Sequence, residues 1–459
     1  MIFEQHYLDC LSQASYFIGD ESSGRAVVVD PRRDVAPYLE TATEHNMTIE
    51  LVIETHFHAD FLSGHLELAN QTGAAIAFGD KGETEFESRK LADGERIELG
   101  EIVLEIRHTP GHTPESISVV VYEHADDTIP FGVLTGDALF IGDVGRPDLL
   151  SSKGVTKEHL AGQLYDSLHN QLMTLPDETR VYPAHGAGSA CGKNLSTDTW
   201  STIGAQRKSN YAVAPMTKEE FIGVVTEGQT APPAYFSYDA GLNRELRELL
   251  DEATPPVVMT IEEVLAAQAN GAVVLDTRAP DAFAPGHLKN SVNVGMAGRF
   301  SEYTGGVITP GTAMVIVADE GQELEAKNRL ARIGFDNVIG HLPHIEAVLE
   351  EHPQHAHRSS RLDVDGLVNA LATVPELQLV DIRQPGETAN GIIDGAHLIP
   401  LTQLNERLGE LDPAKPTAVY CAGGYRSSIA ASRMIDAGFG DVSDLLGGYG
   451  AWVSAHQPA

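Results

Sequence analysis

The sequence points to a multidomain α/β protein, on three features spread along its 459 residues. In the first half, polar clusters bearing histidine or aspartate each stand directly after a short apolar run. Residues 255–459 contain an internal repeat in which strand-like runs alternate with helix-like stretches. Near the C-terminus a glycine-rich loop carries a cysteine between an apolar run and a helical pattern. Polar groups set just past strand ends belong to loops held on a rigid frame. Alternating strand and helix calls for a parallel sheet covered by helices.

A chain of this length exceeds one ordinary core. Pro255-Pro256 and the polar stretch from His352 to Ser360 mark boundaries, giving expected domains at 1–254, 255–356 and 357–459. No apolar stretch approaches a membrane span, and Met1-Ile2-Phe3-Glu4-Gln5 begins no signal peptide. Three cysteines, Cys10, Cys191 and Cys421, cannot build a disulfide framework, so a reducing, cytoplasmic setting is expected. The formal charge of −35 argues against nucleic acid or an acidic membrane surface as a partner. A homo-oligomer is expected.

In the first domain, Leu51-Val52-Ile53 leads to Thr55-His56-Phe57-His58-Ala59-Asp60, and the run Ile102 to Ile106 leads to Thr109-Pro110-Gly111-His112-Thr113. Phe131 to Leu134 leads to Thr135-Gly136-Asp137, and Val181-Tyr182 leads to Pro183-Ala184-His185-Gly186. Four such clusters converge at one edge of a sheet sandwich, where imidazoles and a carboxylate suit zinc or iron. Spacing alone allows His56, His58 and His112 to hold one zinc. It equally allows His56, His112 and Asp137 as two histidines and a carboxylate, a set with open positions suited to non-haem Fe(II) and oxygen. Arg146 follows the Asp137 strand and could pair with a substrate carboxylate or phosphate. Cys191 and Lys193, just beyond His185, could line an entrance for an anionic, thiol-bearing substrate. Cys10 reads as structural.

This half resembles the metallo-β-lactamase fold, an αββα sandwich. The common two-metal pattern of that fold carries a histidine directly after the aspartate of His-x-His-x-Asp, and here Phe61 stands there. One ligand of a second metal is therefore missing. The Thr-His-x-His-Ala-Asp and Pro-Gly-His-Thr-Pro stretches, Thr135-Gly136-Asp137-Ala138-Leu139 and Gly145-Arg146-Pro147-Asp148 resemble the persulfide dioxygenases, the iron branch of the fold. The resemblance implies one Fe(II) on His56, His112 and Asp137, with His58, Asp60 and His185 as a polar shell around them. It also implies oxidation of a low-molecular-weight thiol persulfide (of glutathione, coenzyme A or another thiol) by O2 to sulfite and thiol.

In the repeat, Val274-Leu275-Asp276-Thr277-Arg278 matches Leu379-Val380-Asp381-Ile382-Arg383, and a glycine, Gly286 or Gly391, follows each Asp by ten residues. The loop Cys421-Ala422-Gly423-Gly424-Tyr425-Arg426-Ser427 can turn backbone N–H groups toward the sulfur. The helix dipole and Arg426 add positive charge, so an anionic sulfur adduct is favoured. This loop resembles the active-site loop of rhodanese-type sulfurtransferases, and the repeat resembles two rhodanese domains with parallel sheets. The resemblance implies that Cys421 carries a persulfide, that Arg426, Gly423, Gly424, Tyr425 and Ser427 surround it, and that thiosulfate is made or used. In the first copy Val317 aligns with Cys421 and Gln322 with Arg426, beside Asp319 and Glu320, so that copy is expected to be inactive. Two rival functions stay open: a zinc-dependent hydrolase of glutathione thioesters resembling glyoxalase II, and a sulfur carrier or sensor without catalysis.

Overall fold

Strands β1 (Ile2–Leu8), β2 (Gln13–Asp20), β3 (Arg25–Val29), β4 (Thr48–Ile53), β5 (Ala75–Gly79) and β6 (Arg89–Leu91) form one sheet in sequence order. In this computed structural model, which describes residues 1–149, 154–229 and 231–456, a second sheet follows. It comprises β7 (Arg96–Leu99), β8 (Ile102–His108), β9 (Ile117–Tyr122), β10 (Gly132–Gly136), β11 (Arg180–Pro183) and β12 (Ser201–Thr202), again in sequence order. Neighbours in sequence are thus adjacent in space, with antiparallel pairs at β1–β2–β3 and parallel ones from β3 to β6 and at β10–β11.

Period-2 alternation distributes the side chains between two cores. Tyr16, Ile18, Val27, Val29, Leu51 and Ile53 from the first sheet meet Leu104, Ile106, Val119, Val121 and Leu134 from the second. The residues between them, Phe17, Val28 and Val52, point outward and pack with Tyr38 and Ala42 of helix Ala36–Glu44 and Leu68 of helix His65–Thr72. On the far side Val103, Val120 and Val133 meet helices Lys157–Ser167 and Lys218–Thr226 through Ala161, Leu164, Phe221 and Val225. The result is a helix–sheet–sheet–helix sandwich. Both faces of each sheet are covered, so the strands read as nearly continuous apolar runs rather than clean alternation.

Compact units divide at residue 251: one holds Met1–Pro232 and Phe236–Asp251, the other Pro233–Tyr235 and Glu252–Ala459. The second unit contains two parallel sheets. One has the order β15 (Ser291–Asn293), β13 (Val273–Asp276), β16 (Met314–Val317), β17 (Val338–His341), with β14 (His287–Leu288) pairing β18 (Ala356–His357) beside it. The other has the order β19 (Ser360–Leu362), β23 (Val442–Leu445), β22 (Thr417–Tyr420), β20 (Gln378–Asp381), β21 (His397–Leu398). The repeated Asp-x-Arg has a physical reason. Arg278 binds Asp276 and the carbonyl of Gly286, and Arg383 binds Asp381 and the carbonyl of Gly391, so each buried guanidinium ties a strand end to the loop ten residues on.

Candidate metal centre and sulfur-bearing loop

His56, His58 and Asp60 follow β4, His112 follows β8, Asp137 follows β10 and His185 follows β11, so the four sequence clusters do meet at one edge of the sandwich. The turn after β4 is held by Asp30, whose carboxylate accepts from the Thr55 N–H at 2.7 Å and the Thr55 hydroxyl at 2.8 Å. Asn243 closes it from the other side, donating to the carbonyls of His58 (2.8 Å) and Phe61 (2.9 Å). Neither Asp30 nor Asn243 stood out in the sequence, since each is one of several polar residues in a segment without a motif.

His56, His112 and Asp137 offer one atom each within 4.8 Å of one another, and all three are buried. His56 Nδ1 contacts the Thr55 hydroxyl at 2.9 Å and His112 Nδ1 the carbonyl of Arg146 at 2.9 Å, so both rings present Nε2 to the centre. Asp137 Oδ2 lies 3.8 Å from His56 Nε2 and 3.5 Å from His112 Nε2. His112 Nε2 and Asp137 Oδ2 are buried without a hydrogen-bond partner. Orphaned acceptors facing one point are costly unless a cation sits there, so the donor set fits a metal. Gly145 makes room beside it: a Cβ there would stand 2.0 Å from the Asp137 carbonyl oxygen.

Burial pushes the Asp137 carboxyl up, but His185, His56 and His112 outweigh it and hold the group far below the usual carboxylate range. Burial pushes the His185 imidazole down, and it is overcome by Asp137 and Asp60, so His185 stays protonated well above its ordinary value. Its Nδ1 lies 2.8 Å from Asp137 Oδ1 and its Nε2 2.8 Å from Asp60 Oδ2. His58, Asp60 and His185 also bring one atom each within 4.8 Å. Beside them Phe61, buried, places its ring 4.2 Å from that of His58. His58 Nε2 in turn faces Asp30 Oδ1 at 3.1 Å.

Cys191 is brought to the centre, with its sulfur within 4.8 Å of atoms of Asp137 and His185, and burial pushes its thiol well up. Arg146 and Lys193 bind protein groups. Arg146 makes a two-bond fork to Asp148, at 2.7 and 2.8 Å, and donates to the Ala190 carbonyl. Lys193 Nζ donates to the carbonyls of Val224 and Glu227 at the end of helix Lys218–Thr226. Cys10 is half-buried at the turn after β1.

In the second unit Cys421 sits at the end of β22, buried, and helix Tyr425–Asp436 begins four residues on. Gly424 takes φ +97°, a left-handed conformation that aims its N–H at Cys421 Sγ, 3.1 Å away. The sulfur lies 3.6 Å from the Ser427 hydroxyl, which donates to the Gly424 carbonyl at 3.1 Å. Gly423 is exposed beside the sulfur. Arg426 is gripped by Glu387 through two bonds of 2.8 and 2.6 Å, a partner absent from the sequence motif. Tyr425 donates to the Gly295 carbonyl of the preceding repeat at 2.5 Å, and its ring lies 5.6 Å from that of Tyr303.

Strand pairing corrects the alignment of the two repeats by one residue. Asp276 pairs with Val317, and Asp381 pairs with Tyr420, so Ala318 rather than Val317 stands where the second repeat has Cys421. Gly321, at φ +83°, then matches Gly424, and Glu323 rather than Gln322 matches Arg426. The first repeat has no sulfur at that position and carries the opposite charge.

The pattern of the metallo-beta-lactamase superfamily matches residues 8–185. A solved metallo-beta-lactamase from Staphylococcus aureus subsp. aureus COL is 32% identical, with a TM-score of 0.67, over 74% of this chain and 99% of that one. The chain belongs to the metallo-beta-lactamase superfamily. Its metallo-beta-lactamase domain is followed by two rhodanese-like domains, matched at residues 260–343 and 364–455. The mitochondrial persulfide dioxygenase ETHE1 of Homo sapiens is 29% identical over 46% of this chain and 75% of its own length. A hydroxyacylglutathione hydrolase of Hyphomonas neptunium is 29% identical over 40% of this chain and 67% of its own. Persulfide dioxygenase homology joined to rhodanese-like domains supports an enzyme of sulfur detoxification with a metal site. No helix among the described residues is long and apolar enough to cross a membrane.

Proposed function

We propose that this metallo-beta-lactamase–rhodanese chain oxidises a low-molecular-weight thiol persulfide with O2 to sulfite and thiol, and transfers sulfur through Cys421. The observation that carries the first half is the buried trio of His56, His112 and Asp137, with two orphaned acceptor atoms and Phe61 where a further metal ligand would stand. These three residues would hold one Fe(II), which supplies open coordination positions for sulfur and dioxygen. The surrounding residues do the rest. His185, protonated between Asp60 and Asp137, fixes the carboxylate and keeps a proton at the edge of the site. Cys191 gives the substrate side a small, neutral sulfur surface. The site is assigned to a domain at 1–254, with an inactive rhodanese-like domain at 255–356 and an active one at 357–459.

In the rhodanese-like loop the Cys421 sulfur attacks the outer sulfur of a donor. The donor's S–S bond breaks, its inner sulfur leaves as a thiol after taking up a proton, and Cys421 holds the persulfide. Sulfite from the first site then accepts that sulfur to give thiosulfate, or thiosulfate supplies it. The Gly424 N–H is already directed at Cys421 Sγ, the atom that carries the charge when the thiolate attacks.

A second reading is a thioester hydrolase with two zinc ions. It draws on the hydroxyacylglutathione hydrolase relatives and on the trio His58, Asp60 and His185. Metal analysis of anaerobically purified, iron-supplied protein, paired with an oxygen electrode, separates the two. About one iron per chain and oxygen uptake with a persulfide are expected. Two zinc ions and thioester cleavage without oxygen uptake would overturn the dioxygenase.

A further inference from the structure

Arg426 is the full positive charge nearest Cys421 in the loop, and it does not act alone. Its Nη1 and Nη2 donate to the two carboxylate oxygens of Glu387 at 2.8 and 2.6 Å. Glu387 is itself fixed: its Oε2 also accepts from the Gln384 N–H at 2.9 Å, in the box that starts helix Pro385–Thr388. Burial pushes the Glu387 carboxyl up, but the bonds from Arg426 and Gln384 outweigh it, so the pair is fully ionised and its charges cancel. Other guanidiniums of this unit are engaged as well: Arg383 by Asp381 and the Gly391 carbonyl, Arg299 by Glu302, and Arg329 by the carbonyls of Met296 and Gly298. The phenols of Tyr303 and Tyr425 are both pushed up by burial and stay neutral. What remains to hold an anion at the sulfur is dipolar: the Gly424 N–H and the first turn of helix Tyr425–Asp436.

We infer that Glu387 sets donor specificity at the Cys421 loop. By neutralising Arg426 it leaves a site that accepts a singly charged persulfide and discriminates against dianionic thiosulfate. The inference rests on the sulfur-transfer reading above and names the substrate class of that same site. With either donor, Cys421 attacks the outer sulfur and the donor S–S bond breaks. The leaving group is a thiol with one donor and sulfite with the other, so no outside oxidant or reductant enters. A free guanidinium would attract the dianion about twice as strongly as the monoanion. Cancelling its charge therefore removes more from thiosulfate than from a persulfide.

The test is the rate at which Cys421 gains one sulfur atom, followed by intact mass on the full chain without oxygen, which silences the dioxygenase. The donors are thiosulfate and the persulfide of 2-mercaptoethanol, whose only charge lies on the terminal sulfur. Glu387→Gln keeps the acceptor for the Gln384 N–H and removes the charge. It is expected to raise the thiosulfate-to-persulfide rate ratio roughly three- to tenfold. That gain should shrink in about 0.5 M salt, and Glu387→Asp should restore the wild-type ratio. Arg426→Gln, which leaves the carboxylate uncompensated, should move the ratio the other way, and it decides the matter if Glu387→Gln does not fold. A ratio unchanged in a folded variant, or both rates falling together, makes Glu387 a brace only and overturns the inference. No sulfur on wild-type Cys421 from either donor would instead remove the sulfur-transfer reading, and this inference with it.

Discussion

Asp137 carries the most consequence of any single residue in the first unit, because its Oδ2 faces His56 and His112 while its Oδ1 meets His185. Asp137→Ala should abolish iron binding and oxygen uptake while sulfur loading of Cys421 continues, checked by metal analysis and intact mass on one preparation. Loss of both activities in a folded variant would break the two-site scheme. Phe61 supports the converse experiment. It lies against His58, next to a trio already within 4.8 Å. Phe61→His adds a donor there, and metal content in zinc-supplied protein should rise from about one toward two ions per chain. That His56, His112 and Asp137 converge was legible in the sequence, because each donor atom stands just past a strand end and both features show as motif. Arg146 and Lys193 were harder to read. A cation's partner is chosen by tertiary packing, and here the partners are Asp148 and two helix-end carbonyls. Glu387, thirty-nine residues before Arg426, was invisible for the same reason.

At the scale of the element, the Cys421 loop works through one backbone conformation. Gly424 needs φ +97°, which a side chain opposes. Gly424→Ala should cost about 1–2 kcal/mol of stability by strain. It should slow sulfur loading at least about tenfold by turning the N–H away from the sulfur. Thermal unfolding and the mass assay read the two effects separately. Sequence matching found both repeats but set Val317 opposite Cys421. Apolar strands tolerate a one-residue slip in pattern matching, and only the hydrogen-bonded pairing of Asp276 with Val317 fixes the register. The edge pair β14–β18 adds a pH dependence. Burial, then His357 and Arg278, against the Phe283 carbonyl, bring the His287 pKa down to about 4. An unfolded chain takes up a proton there near 6.5 and the folded one does not. Stability is therefore complete above about pH 6.5 and falls by up to about 3 kcal/mol as pH drops toward 4. Urea midpoints between pH 7 and 4 should fall less steeply in His287→Gln than in the wild type.

For the whole molecule, the sequence conveyed the order of the parts because each part has its own pattern: strand-end histidine and aspartate clusters first, then two strand–helix repeats. It could not convey why one chain joins a metallo-beta-lactamase domain to two rhodanese-like domains. On the proposed function, sulfite leaving the first site and sulfur held on Cys421 would be the two halves of thiosulfate, and a covalent link would make their meeting intramolecular. Flexible tethers of ordinary length give effective concentrations in the millimolar range, far above what a dilute free product reaches. The benefit should therefore depend on protein concentration. At nanomolar chain, the intact protein fed persulfide and oxygen should release thiosulfate with little free sulfite. An equimolar mixture of the Asp137→Ala and Cys421→Ser full-length variants should release mainly sulfite. At tens of micromolar the two samples should converge, as encounters in solution catch up with the tether. Quantifying sulfite and thiosulfate across that range decides it. Equal product ratios at the lowest concentration would mean that sulfite equilibrates with solvent before it reaches Cys421, and that the fusion serves expression of the two activities together rather than transfer between them.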